Sequence, residues 1–236
     1  MAIFVVAHGA WSAGWAWKKM RSRMAERGHH IVTPTQTGLG ERAHLAQPDI
    51  DLELHIADIL GVLEYEDLDD VIIVGHSYGG MVATGVADRA RERVAAIVYV
   101  DAYAPGDGDS IFSLTPHRRE PMTAAAAAHG EGWKIPPTEM PADTSDEDRA
   151  WAAPKRLPQP VKTFNQPLKL LHGEPIVPSH YIYCARRPAD DRFRPFLERA
   201  RAEGWSTYEI DSSHNPHINM PDELAEIFDE IAKSIS

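Results

Sequence analysis

The sequence predicts an α/β fold, in which a mostly parallel sheet carries helices on both faces. Short β-branched runs alternate with longer segments whose apolar residues recur at helical spacing. This alternation stops between Pro105 and Pro178 and then resumes. The 236 residues are enough for one such domain with a sizeable core, or for one domain with a lid.

Each predicted strand except Val94 to Val100, which leads into residues 105–178, is followed by its own helical pattern. The predicted strands are Ile3 to Ala7, His30 to Pro34, Val71 to Val74, Val94 to Val100, His180 to Cys184 and Ser206 to Ile210. The predicted helices are Trp15 to Arg27 (closed by Gly28), Leu52 to Glu64, Gly80 to Arg91, Phe193 to Glu203, and Asp222 to Lys233 with Pro221 at its start. An alternation of this kind builds βαβ units, whose strands run parallel.

Residues 105–178 are predicted to be an inserted lid, and residues 1–104 together with 179–236 to be the core. Twelve of the 18 prolines lie in the inserted part, which shows no strand rhythm. Ser145 is placed to cap a short helix that runs through Trp151. Disorder of parts of this stretch is the alternative. Five large apolar residues argue against it: Phe112, Trp133, Trp151, Leu157 and Phe164.

The segment Gly75-His76-Ser77-Tyr78-Gly79 follows the apolar run Val71 to Val74 and opens into a helical pattern. A G-x-S-x-G sequence between a strand and a helix is typical of a nucleophile elbow, where small residues let the chain bend and present a serine hydroxyl. An ordinary glycine-rich turn is the alternative interpretation. The context favours Ser77 as a nucleophile.

A serine nucleophile requires a base, and the base requires a carboxylate that orients it. Elbows of this type occur with the chain order serine, acid, histidine. His214 lies between the last predicted strand and the last helix, and it is the predicted base. His217 is the competitor, but the residues before His214 follow the strand more directly.

The acid has two candidate positions. Asp101 directly follows the strand Val94 to Val100, at the carboxyl end where open parallel sheets bind ligands. Asp190 and Asp191 are the alternative, separated from the strand that ends at Cys184 by residues 185–188. A charge at the end of a buried strand is costly unless it is paired, which favours Asp101. A carboxylate that merely caps the following turn is the other interpretation of Asp101.

The oxygen of a tetrahedral intermediate requires backbone N–H donors. The predicted donors are the amide of Tyr78, which follows the nucleophile, and the amide of Ala10, in the turn after the first strand. His8 and His76 are predicted to be structural histidines.

Three tryptophans follow the first strand. Core packing of the first helix accounts for Trp15 and Trp17, and Trp11 is predicted to reach the substrate.

At these residues the chain resembles the α/β-hydrolase superfamily. More narrowly, it is similar to the compact branch of plant methyl esterases, hydroxynitrile lyases and bacterial pyrethroid-type esterases. The resemblance covers nearly the whole chain: residues 4–11, the three tryptophans, residues 75–81 and the late His214. It implies an α/β-hydrolase fold and a serine carboxylic-ester hydrolase without a metal or organic cofactor.

The resemblance also bears on the acid and on the lyase alternative. The stretch around Asp101 is similar to that of haloalkane dehalogenases, where the acid follows this strand; plant members place it where this chain has Ala185. A dehalogenase would need aspartate in place of Ser77. Hydroxynitrile lyases of this branch carry threonine at the position of Gly9 and lysine at that of Asn215, so the resemblance argues against a lyase.

The resulting hypothesis is a hydrolase that cleaves small, fairly apolar carboxylic esters through an acyl-enzyme. The first alternative is lactone opening or C–C bond cleavage on the same triad. A hydroxynitrile lyase and a ligand-binding receptor are weaker alternatives.

Composition limits the partners and the setting. The net charge of −11 argues against a nucleic-acid surface. Cys184 is the single cysteine and is predicted to be a small buried residue, so no disulfide or cysteine metal cage is expected. The pairs His214/His217 and His172/His180 lack a carboxylate-rich companion motif, and no metal site is predicted. No membrane partner or signal peptide is expected, a cytoplasmic location is predicted, and a homodimer stays open.

Overall fold

The computed structural model describes residues 1–186 and 191–235. Its main sheet has six parallel strands in the order β2-β1-β3-β4-β7-β8. These strands are β1 (Ile3–Ala7), β2 (His30–Val32), β3 (Val71–His76), β4 (Val94–Val100), β7 (Ser179–Cys184) and β8 (Ser206–Ile210). Two further strands, β5 (Lys134–Ile135) and β6 (Gln159–Pro160), form a separate antiparallel pair. The predicted α/β fold with a parallel sheet is confirmed.

The helices fall into two groups, those that pack against the main sheet and those that lie elsewhere. The long helices of the core are α1 (Lys18–Glu26), α2 (Leu52–Tyr65), α3 (Gly79–Arg89), α8 (Arg194–Ala202) and α10 (Pro221–Ile235). The other helices are α4 (Ile111–Leu114), α5 (Pro116–His129), α6 (Asp146–Ala152), α7 (Lys162–Asn165) and α9 (Pro216–Asn219), with 3-10 turns at Gly14–Trp17, Gly40–Leu45 and Ala153–Lys155. None of the helices in the described part of the chain has the length and hydropathy of a membrane span.

The sheet buries both of its faces, which explains the near-continuous apolar strands. Along β1, Phe4 and Val6 pack on the side of α1 and α10, whereas Val5 and Ala7 pack on the side of α2, α3 and α8. The period of two along a strand produces this division. Helices therefore cover both faces, as predicted.

Several predicted boundaries shift by a few residues for local reasons. The predicted helix from Trp15 begins as the 3-10 turn Gly14–Trp17, where the Gly14 amide donates to Thr35 Oγ1 at 3.0 Å. The predicted strand to Pro34 ends at Val32, two residues before a proline that has no N–H for the ladder. Strand β3 continues through His76, so the elbow begins inside the sheet.

Residues 105–178, here called the inserted segment, connect the neighbouring strands β4 and β7. The predicted helix capped by Ser145 is confirmed as α6, with Asp148 donating its amide to Ser145 Oγ at 3.1 Å. The prediction that this segment contains no strands is wrong, because β5 and β6 pair there. Each has two residues, too few to leave a period in the sequence. Of the five predicted apolar anchors, Phe112 and Phe164 are buried and the others half-buried.

Candidate active site

Ser77 lies at the bend between β3 and α3, where its φ of 55° is in the left-handed region. A non-glycine residue there is strained, and the surroundings must hold it in place. The chain packs so closely at this point that a Cβ on Gly75 would lie 2.7 Å from the Gly80 Cα, and one on Gly79 2.0 Å from the Ala7 carbonyl oxygen. The G-x-S-x-G pattern is therefore required by the close approach of neighbouring backbone.

The structure brings Ser77, His214 and Asp101 together at the carboxyl edge of the sheet. His214 Nε2 lies 2.9 Å from Ser77 Oγ, and His214 Nδ1 lies 2.6 Å from Asp101 Oδ2. The serine follows β3, the aspartate follows β4, and the histidine is on the loop after β8. Parallel strands end at one edge of a sheet, which explains how residues up to 137 positions apart meet there.

The contacts of Asp101 and His214 determine which nitrogen of the imidazole carries the proton. Asp101 is fully buried, with a φ of 46°, and its Oδ1 accepts the Cys184 amide at 3.3 Å. With Nδ1–H of His214 donating to this carboxylate, the bare Nε2 is left to accept the hydroxyl proton of Ser77. The ring of Phe193 stacks on His214, with centroids 5.0 Å apart and an interplanar angle of 13°. The imidazole is thus held by a carboxylate and by a flat aromatic surface.

The competing acid and base candidates lie in other environments. Asp191 forms a cap at the start of α8, where its carboxylate accepts the Arg194 amide at 3.2 Å and the Tyr183 hydroxyl. Asp190 lies outside the described residues. His217 is buried with its ring stacked on Trp17 at 4.6 Å, and burial lowers its pKa well below the ordinary value.

The two predicted oxyanion donors belong to residues near the mouth of the elbow. Ala10 and Tyr78 both line the same cavity as the serine. Within the described residues, neither amide donates a hydrogen bond to another group of the chain. The next residue in the first turn, Trp11, has a φ of 58°, and its amide is already used, donating to Gln159 Oε1 at 3.2 Å.

The side chain of Tyr78 is held by a histidine whose contact the sequence did not reveal. The Tyr78 hydroxyl lies 2.9 Å from His55 Nδ1, and His55 Nε2–H donates to the Thr37 carbonyl at 3.0 Å. His55 Nδ1 is therefore the acceptor and the phenol the donor. Burial lowers the pKa of His55 to about 4, so the ring stays neutral. A single histidine in a helix does not show from the sequence which side chain it contacts, so this contact could not be predicted.

His8 and His76 have the structural positions predicted for them. His8 Nδ1–H donates to the Gly9 carbonyl at 2.9 Å, its Nε2 accepts the Gln36 amide, and burial lowers its pKa to about 4. His76 Nε2–H donates to the backbone carbonyl of His214 at 2.7 Å, and burial lowers its pKa to about 3. His76 thus links the elbow to the loop that carries His214.

A cavity of about 540 Å³ opens above Ser77. Aromatic and aliphatic side chains dominate its walls, and the inserted segment contributes Met140, Ala152 and Phe164. Trp11 lines it, and its contact with the substrate stays a prediction. Trp15 lines it as well, which corrects its prediction as a core residue only.

The cavity also carries charged side chains from the inserted segment. Arg156 lies 5.9 Å from the Trp11 ring centroid and donates to the Thr138 carbonyl. Arg118 and Glu139 line the wall too. Within residues 1–186 and 191–235, no three histidine, cysteine or acidic side chains are grouped so that they could hold a metal ion.

Known proteins resemble this chain over nearly its whole length. The Alpha/beta hydrolase family is matched by residues 4–227. A carbendazim hydrolyzing esterase from Nocardioides sp. (strain SG-4G) is 40% identical over 237 residues, which cover 96% of this chain and 98% of that protein. Methyl jasmonate esterase 1 from Vitis vinifera is 22% identical, with 99% of this chain and 97% of that protein covered.

Among solved structures, an extracellular alpha/beta-hydrolase from a Paenibacillus species matches with a TM-score of 0.83 at 23% identity. The match covers 98% of each chain. A pyrethroid hydrolase matches with a TM-score of 0.71 at 18% identity, covering 99% of this chain and 98% of that one. These structural matches concern the fold.

Proposed function

We propose that this chain, which belongs to the alpha/beta hydrolase family, is a serine hydrolase that cleaves carboxylic esters through an acyl-enzyme. The single observation that carries the proposal is the unbroken set of contacts from Ser77 Oγ through His214 to the buried Asp101. The 40% identity with an esterase over almost the full length supports the same reaction class.

In the first half of the proposed reaction, Ser77 Oγ attacks the ester carbonyl carbon and its proton moves to His214 Nε2. The oxygen of the tetrahedral intermediate binds the amides of Ala10 and Tyr78, two donors available for it. Asp101 stabilises the imidazolium that forms. His214 then gives the proton to the departing alkoxide, which leaves as an alcohol.

In the second half, a water molecule gives a proton to His214 and its oxygen attacks the acyl carbon. The intermediate collapses, the Ser77 oxygen leaves and takes the proton back, and a carboxylic acid departs. Every proton in this cycle is held by His214 or by the reacting oxygens. The chemistry therefore uses only groups of this chain, of the substrate and of water.

The cavity supports a substrate with an apolar body. Its volume of about 540 Å³ is within the ordinary range for small-molecule sites. Because residues of the inserted segment form part of its wall, we propose that this segment acts as a lid over the ester.

The lyase alternative is disfavoured by local packing. A Cβ on Gly9 would lie 2.7 Å from His76 Nδ1 and 3.2 Å from the Ser77 Cβ, so the threonine that lyases carry could not enter without movement. No observation favours lactone opening, C–C cleavage or a receptor over ester hydrolysis.

The proposal is tested by labelling and turnover together. Wild-type protein should react with a fluorophosphonate and hydrolyse p-nitrophenyl acetate, with the adduct mapped to Ser77 by mass spectrometry. Ser77→Ala should lose labelling and at least about 10⁴-fold of kcat, with an unchanged thermal unfolding midpoint. Ser12→Ala, which alters another serine of the cavity wall, is the matched control. An adduct on another residue, or a Ser77→Ala variant that retains turnover, would refute the proposal.

Three points remain predictions from the sequence: a cytoplasmic location, a small-molecule ester as the partner, and a possible homodimer. Fractionation of the producing cells and size-exclusion chromatography with light scattering test them.

A further inference from the structure

The inserted segment holds the loop of Ala10 by two hydrogen bonds, and both are donated by the neighbouring residue Trp11. The backbone amide of Trp11 donates to Gln159 Oε1 at 3.2 Å, and its indole Nε1–H donates to the Ile135 carbonyl at 2.9 Å. Ile135 and Gln159 are directly paired across β5 and β6. The two-residue ladder therefore holds Trp11 by its main chain and by its side chain.

The orientation of the Gln159 amide follows from its other hydrogen bonds. Gln159 is fully buried, and its Nε2 lies 2.9 Å from Thr163 Oγ1. Thr163 gives its one hydroxyl proton to the Pro160 carbonyl at 2.7 Å, so towards Gln159 it can only accept. The NH₂ group of Gln159 must face Thr163, and the oxygen must face Trp11.

The contact holds a strained stretch of backbone. Trp11 has a φ of 58°, which a bulky side chain adopts only where the surroundings impose it. Without the Gln159 oxygen, the Trp11 amide would be a buried donor with no acceptor, and rotation of the loop towards an ordinary φ would relieve both costs. Such a rotation would turn the peptide that joins Ala10 to Trp11, and through the Ala10 Cα it would shift the preceding peptide, which carries the Ala10 amide.

We propose that Gln159 is a positioning residue for the oxyanion site: by accepting the Trp11 amide it keeps the Ala10 amide directed at the reacting oxygen. The inference rests on the proposed ester hydrolysis. It gives the inserted segment a part in the chemical step in addition to its part in the cavity wall. Gln159 touches neither the substrate nor the reacting atoms, and it acts through the loop.

The test is Gln159→Met, which keeps the length of the side chain and removes the acceptor. We expect kcat for p-nitrophenyl acetate to fall about tenfold, less than the loss of a whole oxyanion donor causes, while KM changes less than twofold. Inhibition by an aryl trifluoromethyl ketone, which forms a tetrahedral adduct with serine, should weaken by the same factor as kcat. A merely structural role would not link these two quantities.

Gln166→Met is the matched control, because Gln166 is another glutamine of the inserted segment whose Oε1 accepts a core amide, that of Leu52 at 3.1 Å. It should leave kcat and inhibition unchanged. Gln159→Met with wild-type kcat and inhibition would overturn the inference. Should Gln159→Met fail to fold, Thr163→Val in a Tyr78→Phe background decides, because Thr163 also hydrogen-bonds the Tyr78 hydroxyl: a several-fold fall of both quantities relative to Tyr78→Phe supports the inference, and no change overturns it. A wild-type protein without ester turnover would instead refute the proposed function.

Discussion

The residues proposed for catalysis and the inserted segment are positioned by different kinds of structure. Ser77, Asp101 and His214 follow strands of one parallel sheet, whose register sets their separation. The inserted segment has a two-residue ladder and helices of 4 to 14 residues, and hydrogen bonds between side chains and backbone amides tie it to the core at separate points. In the core, regular hydrogen bonding fixes the site. The inserted segment is instead held in place by individual buried polar contacts. A single substitution can remove one of them.

The largest effect among core substitutions short of the nucleophile is expected at the acid. Asp101→Asn should reduce kcat for a p-nitrophenyl ester by about 10³- to 10⁴-fold, because an asparagine amide stabilises the wrong tautomer of His214. Asp191→Asn is the control, since that carboxylate caps α8. It should stay within a factor of two of wild type. A larger loss for Asp191→Asn than for Asp101→Asn would transfer the role of the acid to Asp191.

Acid should weaken the core before it weakens the inserted segment. Five core histidines are buried with a lowered pKa: about 4 for His8 and His55, about 3 for His76, well below the ordinary value for His217, and below it for His180. Below pH 6.5 these histidines bind protons in the unfolded chain but remain neutral in the folded chain. The free energy of unfolding therefore falls as the pH drops from 6.5 towards 4. Each histidine contributes at most about 1 kcal/mol per pH unit in that window.

Urea unfolding followed by tryptophan fluorescence at pH 7, 6 and 5 measures this slope. His55→Gln should be less stable at pH 7 but lose less stability on acidification, because one proton site of the unfolded chain is gone. The histidines of the inserted segment, His117, His129 and His172, are exposed. A free energy of unfolding that is flat from pH 7 to pH 5 would contradict the expectation.

The smallest expected effect concerns one tether of the inserted segment. Asp88 is fully buried in α3, and its carboxylate accepts the amides of Leu171 at 2.6 Å and His172 at 2.9 Å. Asp88→Ala leaves two amides without an acceptor and should reduce the free energy of unfolding by about 2 kcal/mol. Limited proteolysis should cut faster near Ile176, which is 89% exposed.

The control for this tether is Asp69→Ala, which removes a surface ion pair with Arg93 whose carboxylate is 66% exposed. It should cost at most about 0.5 kcal/mol. Equal stability and equal cleavage rates for the two variants would show that the tether at Asp88 is unimportant.

Much of the core could be predicted because its signals are local. The run Val71 to Val74 and the glycines around Ser77 each reflect contacts within one strand or one turn. Asp101 and His214 follow strands recognisable from their own apolar residues. The prediction for Trp15 was incomplete, because an apolar residue in a helix pattern does not reveal whether its partner is the core or a cavity wall.

The inserted segment could be predicted only in part. Ser145 and α6 were recognisable, since a cap and its helix are adjacent in sequence. The pairing of β5 with β6 was not, because two residues per strand leave no period. Nothing in the sequence around Gln159 indicates that it contacts Trp11, which is 148 positions away.

By itself, the sequence determined the α/β class, the elbow and the order of serine, acid and base, because apolar periodicity and close-packed glycines act over a few neighbouring residues. Only the tertiary structure decided the strained φ angles of Trp11, Ser77 and Asp101 and the contact of Gln159 with the loop of Ala10. These features arise from contacts between distant parts of the chain, whose energies exist only once the sheet and the inserted segment have packed.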